Sequence, residues 1–586
     1  MLTITNININ EDNLNIKYKG GTVNPPLGDD TVIMSYYGQW NIYDGKFPVP
    51  SYANAKTDIY DKITHLAYGF MGFNGTGDIG SWDAWADLAG PKYVYGKDFY
   101  DLLPVDSNSF PDWGQGYSVG YPFTNQKFPS TSIIGTPSEG QQFYRLAFAK
   151  YLKPDMKIIM SFGGWEYGGA SADSTWDANT PPAQVFYNIT QNPSIFTKFV
   201  DNIVDIIKNY KFQIIEYENK YYPIPYTTPN GNLSSPTVHP EVKDGKLENG
   251  YTRVGSPFSL FSGVDIDWEY PSGCGQCAGC TGTSITSVCP LGWTPSDVQK
   301  SYDEYASLLS KLKDKLPSPE YFVSTTCGGD PSGITELVEN PNIESAFNTI
   351  DRISIMSYDF MNGNNIITHD APLYKQKIGS KEWNTDTAVT NMLTKIQPKK
   401  INIGVPYYGR FQYIEEDTLK TLGYNGGIPT QDITNKIFSG TTKGLYTACG
   451  QSALNGQAHP ITCPWVDGNP IGINSINYDI TPTTPVVPDK LCGGNCNFND
   501  SSVKEKFNEV DDADRGVTYY ISKETFTNTD ILNGKESRII LSMPSQYSIT
   551  QKTDYIKSKK LGGVITWMIG NDTSYQLADN VYNGLK

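Results

Sequence analysis

The 586-residue sequence lacks an excess of basic residues, a long apolar run and a recognisable targeting segment. Its 46 Lys and Arg stand against 62 Asp and Glu, for a net charge of -16 at pH 7. This balance argues against nucleic acid or an anionic membrane as a partner, because both require positive potential. No run is long enough for a transmembrane helix. Met1–Tyr18 has neither the basic start nor the continuous apolar centre of a secretory signal peptide.

Internal repeats, low-complexity linkers and any shift in composition that would mark an appended module are also missing. The chain is nevertheless too long for one ordinary compact core, so we expect one large domain with insertions, or two to three domains. Aromatic residues make up 13% of the sequence and accompany 55 Gly and 38 Pro. That composition indicates many loops and aromatic surfaces of the kind that stack on sugar rings. Alternating apolar residues near the start predict short strands around a turn at Asn10–Asn13, forming a flap or, as the alternative, a docking arm.

The nine cysteines suit disulfide bonds better than a metal centre. Cys274, Cys277 and Cys280 have a two-residue spacing that zinc or an iron–sulfur cluster would accept, but no His lies near them and their neighbours are mostly Gly. We therefore expect disulfides that hold two long loops together, and no metal. The odd total leaves one thiol over, for which Cys327 is the candidate, buried at the end of an apolar strand. The full set is Cys274, Cys277, Cys280, Cys289, Cys327, Cys449, Cys463, Cys492 and Cys496.

Three acids alternate with apolar residues in the segment Gly263–Pro271. In a strand, Asp265, Asp267 and Glu269 share one face, and we call these three residues the acid row. Each acid would lie about 6.6 Å from the next. Mutual repulsion then raises at least one carboxyl pKa and favours a shared proton, as a general acid near neutral pH requires. The alternatives are a calcium-binding loop or a solvated edge strand, and the apolar residues between the acids are wrong for a hydrated loop.

Eight short apolar runs with helical patterns between several of them predict a (β/α)8 barrel, a TIM barrel of the α/β class, whose site lies at the carboxyl ends of the strands. The strands are predicted at Ile33–Tyr37, Ile63–Phe70, Met156–Phe162, Gly263–Trp268, Tyr321–Thr326, Arg352–Tyr358, Ile401–Pro406 and Gly563–Met568. The helices are predicted at Gln141–Leu152, Ser194–Tyr210, Ser296–Leu316, Thr385–Ile396 and Ser545–Lys560.

Three connections are much longer than a plain barrel needs, and we expect them to shape a cleft. They are Phe212–Ser259, Ser272–Thr294 and Phe411 to about Met543, the last large enough for a subdomain. The predicted organisation is an N-terminal arm (1–30), a barrel with strands one to seven (31–410), an insertion subdomain (411–543) and a barrel closure with strand eight (544–586).

Polar, glycine and aromatic residues follow several predicted strands. Strand three ends in Ser161-Phe162-Gly163-Gly164-Trp165, strand six in Met356-Ser357-Tyr358-Asp359, and strand seven in a segment that contains Tyr408 and Arg410. Trp567 ends strand eight, and Tyr36, Gln39 and Trp40 lie in or after strand one. Each aromatic taken singly is more often a core residue than a sugar platform, but their positions at separate strand ends favour the platform.

These segments together resemble family 18 of the glycoside hydrolases, the chitinases. The acid row, Ser161-Phe162-Gly163-Gly164 and Met356–Asp359 are similar to its Asp-x-Asp-x-Glu, Ser-x-Gly-Gly and Met-x-Tyr-Asp patterns. The resemblance covers roughly residues 31 to 411 and 545 to 575, and the pattern is closest to bacterial chitinases with a deep cleft and an α+β insertion between strand seven and its helix. One departure is Ser262, where the family usually has an Asp. We expect it to weaken the hydrogen-bond support of the acid row without affecting the acid.

The resemblance implies retaining hydrolysis of β-1,4-linked N-acetylglucosamine in chitin or its oligomers, without a cofactor, with the acetamido oxygen of the substrate as nucleophile. Glu269 would be the acid and base, Asp267 would orient the acetamido group, Asp265 would share a proton with Asp267, and Tyr358 would hold the acetamido oxygen. The sugar-binding residues it implies are Trp567, Trp165, Trp40, Tyr36, Met356, Asp359, Tyr408 and Arg410.

Three alternatives stay open at this stage. A glycan-binding lectin on the same barrel typically lacks the acid, which is present here as Glu269. An endo-β-N-acetylglucosaminidase acting on N-glycans would use the same carboxylates, although several aromatic platforms favour a linear polymer. A subunit of a secreted toxin complex is the third, and it is compatible with activity. The expected location is extracellular, by an export route that the sequence does not reveal.

Overall fold

The structure is a computed structural model, and it describes most of the chain as a series of separate segments. The described residues are 6–10, 13–19, 27–28, 30–39, 58–81, 142–164, 182–217, 220–227, 242–243, 246–247, 252–272, 294–361, 366–444, 471–472, 476–477, 495–496, 504–525, 527, 535–572 and 575–586. Among the described helices, none is both long and apolar enough to cross a membrane.

Eight strands form the central sheet and confirm the predicted (β/α)8 barrel. Their order in the sheet is β1-β8-β7-β6-β5-β4-β3-β2, and β1 also pairs with β2, so the sheet closes on itself. Every predicted strand agrees with an observed one to within about three residues at either end, and strand seven agrees at both ends. The strands are β1 (Val32–Gly38), β2 (His65–Phe73), β3 (Lys157–Gly163), β4 (Gly263–Asp267), β5 (Phe322–Gly328), β6 (Arg352–Met356), β7 (Ile401–Pro406) and β8 (Gly563–Trp567).

Helices follow most of the strands, and each of the five predicted helices is present. The helix predicted at Thr385–Ile396 ends earlier, at Met392. Pro295 opens the longest helix, where Thr294 and Asp297 form a capping box. The α-helices are Gln142–Leu152, Pro182–Gln191, Pro193–Asn209, Pro295–Lys315, Pro331–Glu339, Pro341–Thr349, Thr385–Met392, Glu416–Thr421, Gln431–Ile437, Gln546–Lys559 and Gln576–Leu585.

The chain packs as two units. The first comprises residues 1–327 and 340–353, and the second comprises 328–339 and 354–586. In the first unit, aromatic rings pack between the sheet and the helices: Trp268 stacks on Phe186 at 4.9 Å between ring centroids, and Phe186 contacts Phe73 and Phe199. The residues that alternate with the acids of β4 therefore fill the core, which forces the acids to the opposite face.

The long connection before β4 is a five-stranded antiparallel sheet. It follows helix Pro193–Asn209 and leads into the amino end of β4, whereas the acids lie towards the carboxyl end. Its two ends meet, since the Leu260 amide donates to the Tyr210 carbonyl at 3.1 Å. The strands, in sheet order, are Lys220–Thr227, Lys211–Tyr217, Thr252–Ser259, Lys246–Leu247 and Val242–Lys243. Strand direction thus gives no support to the expectation that this connection shapes the catalytic cleft.

The connection between β7 and β8 has mixed α+β structure within the second unit. Four longer strands pair antiparallel, and a short fifth strand, Ile471–Gly472, extends their sheet. The buried side chains of Ile414, Leu419, Tyr519 and Ile540 form part of its core. The four strands are Tyr408–Glu415, Phe507–Asp512, Val517–Ser522 and Ser537–Ser542. The domain boundaries at 30, 410 and 543 remain a prediction.

Shorter strands complete the described secondary structure. The first two, Asn6–Asn10 and Asn13–Lys19, pair antiparallel, in agreement with strands around the predicted turn. The remaining strands are Ile79–Ser81, Lys377–Ile378, Lys381–Glu382, Ile476–Asn477 and Asn495–Cys496, and the 3-10 helices are Asp58–Asp61, Pro398–Lys400 and Ile569–Asn571. Cys327 is a buried free thiol, as predicted. The predicted disulfides depend on cysteines whose side chains lie outside the described part of the chain.

Candidate active site

The acid row lies at the carboxyl end of β4 and is almost entirely buried. Asp265 is 0% exposed, Asp267 3% and Glu269 8%. Parallel pairing aligns Asp265 with Ser161 of β3 on one side and with Ser324 of β5 on the other. Burial of this many carboxyl groups is unfavourable unless they are hydrogen-bonded or share protons.

Three hydroxyl groups from three different strands surround the carboxylate of Asp265. The Tyr36 hydroxyl donates to it at 2.6 Å, Ser161 at 2.9 Å and Ser324 at 2.6 Å. Burial raises the pKa of Asp265, while these hydrogen bonds from Ser324, Tyr36 and Ser161 lower it. The sequence assigned Tyr36 to sugar binding. The structure places its hydroxyl on Asp265, at the base of the acid row, and its contact with a sugar stays a prediction.

Asp267 accepts a hydrogen bond from the Thr326 hydroxyl of β5. Its pKa is raised by burial first and by the charge of Asp265 second, whereas Thr326 lowers it. A buried pair of this kind does not ionise at both positions near neutral pH. Both shifts favour a protonated form, which is compatible with the predicted sharing of one proton by the two acids.

Glycine residues bring β3 close to the acid row. The Gly164 amide donates to the Asp267 carbonyl at 2.8 Å. A Cβ atom on Gly163 would lie 2.0 Å from the Asp267 carbonyl oxygen, and one on Gly164 would lie 2.5 Å from the Phe70 ring. Both glycines also have positive φ, 113° and 85°, which side chains rarely permit. The two glycines thus allow the end of β3 to lie against the backbone of Asp267.

The second unit holds another group of predicted site residues. Arg410 donates from Nε to Asp359 Oδ1 at 2.8 Å and from Nη2 to the same oxygen at 2.5 Å, and the Tyr408 hydroxyl donates to it as well. Tyr358 is 7% exposed and packs edge-on against Tyr408, with 6.1 Å between ring centroids. Gly404 makes room for it, because a Cβ there would lie 2.6 Å from the Tyr358 ring. The structure thus brings Tyr358, Asp359, Tyr408 and Arg410 together.

The protein matches the family model described as glycosyl hydrolases family 18 over residues 32–229 and 247–572. The chain belongs to this family. It is 24% identical to "Chitinase 1" of Yersinia entomophaga over 335 residues, 56% of this chain and 48% of that protein. It is 21% identical to the chitinase of Autographa californica nuclear polyhedrosis virus over 557 residues, 94% of this chain and 71% of that one. The chain thus spans about half the length of the Yersinia relative.

A solved structure of the same fold is the catalytic domain of psychrophilic chitinase B from Arthrobacter TAD20. Its TM-score to this chain is 0.51 at 17% sequence identity, and the match covers 96% of this chain and 97% of that one. Chitinase ChiA74 from Bacillus thuringiensis also has a TM-score of 0.51, at 16% identity, over 95% of this chain and 69% of that one. At these identities the likeness supports the barrel fold alone.

Two further residues of the predicted site lie at strand ends. Met356 is the last residue of β6 and Trp567 the last of β8, and both are partly exposed. Trp40 and Trp165 lie outside the described residues.

Ser262, at the position where the family usually has an Asp, contacts Lys150 instead of the acid row. The Lys150 ammonium donates to the Ser262 hydroxyl and, at 3.2 Å, to the Leu260 carbonyl. Burial first, and the charge of Lys157 second, lower the pKa of Lys150 to about 7. The side chain of Ser262 thus points towards helix Gln142–Leu152, in keeping with the expectation that a Ser here weakens the support of the acid row.

Sequence reasoning missed several residues that act on the site. Thr326, Ser324 and Asp370 each contact a predicted site residue, through Asp267, Asp265 and Arg410 respectively. The alternation of Ser324 and Thr326 along β5 opposite the acid row was the available signal for two of them. Among the described residues, no group of three or more His, Cys, Asp and Glu is arranged to hold a metal ion.

Proposed function

We propose that this protein is a chitinase that hydrolyses β-1,4 linkages between N-acetylglucosamine residues with retention of configuration. The observation that supports the proposal most is the acid row, in which Asp265 and Asp267 are buried beside Glu269 and both have a raised pKa. Membership of family 18 and relatives named chitinase support the substrate. The presence of Glu269 disfavours a lectin.

The arrangement of the carboxyl groups favours a substrate-assisted mechanism. A carboxylate nucleophile in a retaining enzyme lies across the sugar from the acid, with about 5 to 5.5 Å between the two groups. Asp267 is instead the last residue of β4 and Glu269 follows it by two residues, so both acids leave the same end of one strand. In the proposed mechanism the acetamido oxygen of the bound sugar attacks its anomeric carbon while Glu269 protonates the leaving oxygen.

The other acids and Tyr358 act on the acetamido group. Asp267 accepts a hydrogen bond from the acetamido N–H and stabilises the positive oxazolinium, while Asp265 takes up the shared proton. Tyr358 donates to the acetamido oxygen. Glu269, now ionised, removes a proton from the water that opens the ring, so two inversions give net retention. Trp567, Met356, Asp359, Tyr408 and Arg410 bind the sugars.

Product analysis on N-acetylglucosamine oligomers tests this proposal. NMR of the first products of wild-type protein should show the β-anomer, and Glu269→Gln should bind oligomers but turn them over about 10² to 10⁴ times more slowly. Glu416→Gln is the matched control, because Glu416 is equally buried but pairs with Arg538 in the insertion. Initial α-anomer, or wild-type turnover by Glu269→Gln, would refute the mechanism.

The extracellular location and the association with subunits of a secreted toxin complex remain predictions. Assaying chitinase activity in the medium and in the cells of the producing organism separately tests the first of them.

A further inference from the structure

Arg410 lies between two carboxyl groups of unequal exposure. Its Nε is 2.8 Å from Asp359 Oδ1 and 3.2 Å from Asp370 Oδ1. The Asp359 side chain is 46% exposed, whereas that of Asp370 is 3% exposed. One acid can therefore face a ligand, and the other lies behind the guanidinium.

The surroundings of Asp370 give its charge little other stabilisation. Neither carboxylate oxygen makes a hydrogen bond of good geometry with the described residues, although the Met361 and Asp359 amides lie close enough to favour the charged form. Asp370 also lines a cavity of about 20 Å³ whose walls are mainly apolar and include Lys552. A buried carboxylate in such a place depends on its cation.

We propose that Asp370 is a positioning residue that holds the Arg410 guanidinium in place for sugar binding when Asp359 turns to the substrate. The inference rests on the proposed function, which assigns Arg410 and Asp359 to the sugar site. Asp370 itself touches no substrate in this proposal. Its contribution is to keep Arg410 oriented at the moment when the shorter ion pair, to Asp359, is shared with a sugar hydroxyl.

The charge of Asp370 changes within the working pH range of most enzymes. Burial raises the pKa of Asp370 to about 7; the charge of Arg410 opposes that rise and the charge of Asp359 adds to it. Among the described residues, Tyr408, Tyr358 and Lys552 also face this cluster. Burial lowers the pKa of Lys552 to about 7, and the charge of Asp370 opposes that fall. As the pH rises through 7, Asp370 ionises, and its negative charge then attracts the Arg410 guanidinium. Sugar binding should strengthen over the same range.

Steady-state kinetics on an N-acetylglucosamine tetramer between pH 5 and 8.5 test the inference. In wild-type protein, KM should fall roughly tenfold as the pH rises through 7, the usual effect of one hydrogen bond between charged groups. In Asp370→Asn, KM should stay at its acidic value at every pH. The kcat profile, which the acid row determines, should be the same in both proteins.

Two further variants make the outcome unambiguous. Glu416→Gln removes another buried acid from another arginine and should keep the wild-type dependence of KM on pH. Asp370→Glu keeps the charge, and its added methylene group can occupy the adjoining cavity. This variant should retain the fall in KM, so it tests the inference even if Asp370→Asn does not fold.

A fall in KM that persists in Asp370→Asn, or that disappears in Asp370→Glu, would overturn the positioning role while leaving the proposed function intact. Wild-type protein without turnover of the tetramer would overturn the proposed function, and this inference with it.

Discussion

Asp267 shows at the scale of one residue how the fold prepares a carboxyl group for chemistry. Burial and the neighbouring Asp265 both favour its protonated form, and Thr326 alone offers it a side-chain hydrogen bond among the described contacts. In an unfolded chain the same carboxyl titrates near about pH 4. The folded protein therefore holds a proton that the unfolded chain has released, and this difference makes stability depend on pH.

Asp267→Asn should be more stable than wild-type protein by a margin that grows as the pH rises above 4. A group whose folded pKa is raised binds more protons in the native state, so its ionisation weakens the wild-type fold as the pH rises, at about 1.4 kcal/mol per unit of raised pKa. Asn avoids this cost and still accepts a hydrogen bond from Thr326. Chemical denaturation of both proteins at several pH values between 4 and 8 measures the margin.

Asp512→Asn is a control of opposite sign. Burial raises the pKa of Asp512, but hydrogen bonding and charge from His369, together with the charge of Arg515, hold it well below the usual range. This group stabilises the fold above its unfolded pKa and ceases to do so as the pH falls. The variant should lose stability at pH 7 and approach wild type in acid. A margin for Asp267→Asn that is constant with pH would contradict the shared proton.

Individual residues differ in how far the sequence predicts them. The acids of β4 are predictable because alternation along a strand is a local property. Lys150 and Asp370 are not, because their partners, Ser262 and Arg410, lie 112 and 40 positions away in the chain. Only the fold determines which side chains lie next to each other. The sequence gives no sign that the Lys150 ammonium contacts Ser262.

At the scale of secondary structure elements, the end of β3 is the least replaceable segment of the site. Gly163 and Gly164 allow β3 to run against the backbone of β4 at Asp267, which a side chain would prevent. The strands themselves are predictable from apolar runs, because both faces of a parallel barrel strand are buried. The sheet before β4 is not apparent from the sequence, which shows only a long connection there. Its strands are rich in Tyr, Pro and charged residues, so their apolar pattern is weak.

Gly163→Ala should destabilise the protein by about 2 kcal/mol or more and reduce turnover at least about tenfold. The new methyl group would displace Asp267 or the end of β3, and φ of 113° is unfavourable for Ala. Gly75→Ala is the matched control, because it lies in a turn before residue 77 and an added methyl group there would meet no atom of the described residues within 4 Å. Thermal unfolding and oligomer turnover of the two variants provide the comparison. Equal behaviour of the two would show that the close approach is unimportant.

At the scale of the whole molecule, the pairing of the cysteines does not follow from the barrel fold. Cys327 is buried at the end of β5, and burial raises its pKa to about 12, with the charge of Asp267 adding to the effect. Such a thiol is protected and unreactive. The remaining eight of the nine cysteines lie in the two long connections after β4 and β7, where the sequence predicts disulfides.

Intact mass under non-reducing conditions should be about 8 Da below the mass of the fully reduced chain, for four disulfides. Alkylation of native protein should label no thiol, and alkylation after unfolding without reductant should label one, at Cys327. As a control, protein that is reduced and then unfolded should be labelled at all nine cysteines. Stoichiometric zinc or iron in the purified protein, or several labelled thiols, would contradict the disulfides.

The hydrogen bond between Leu260 and Tyr210 affects how the segment between them can change in evolution. A segment that leaves and re-enters the barrel at one point can be lengthened, shortened or exchanged without a change in the path of any barrel strand. Natural variation can therefore act on residues 211–259 while selection holds β4 constant. The family members most informative about this sheet will be those that differ in its size and agree in their acids.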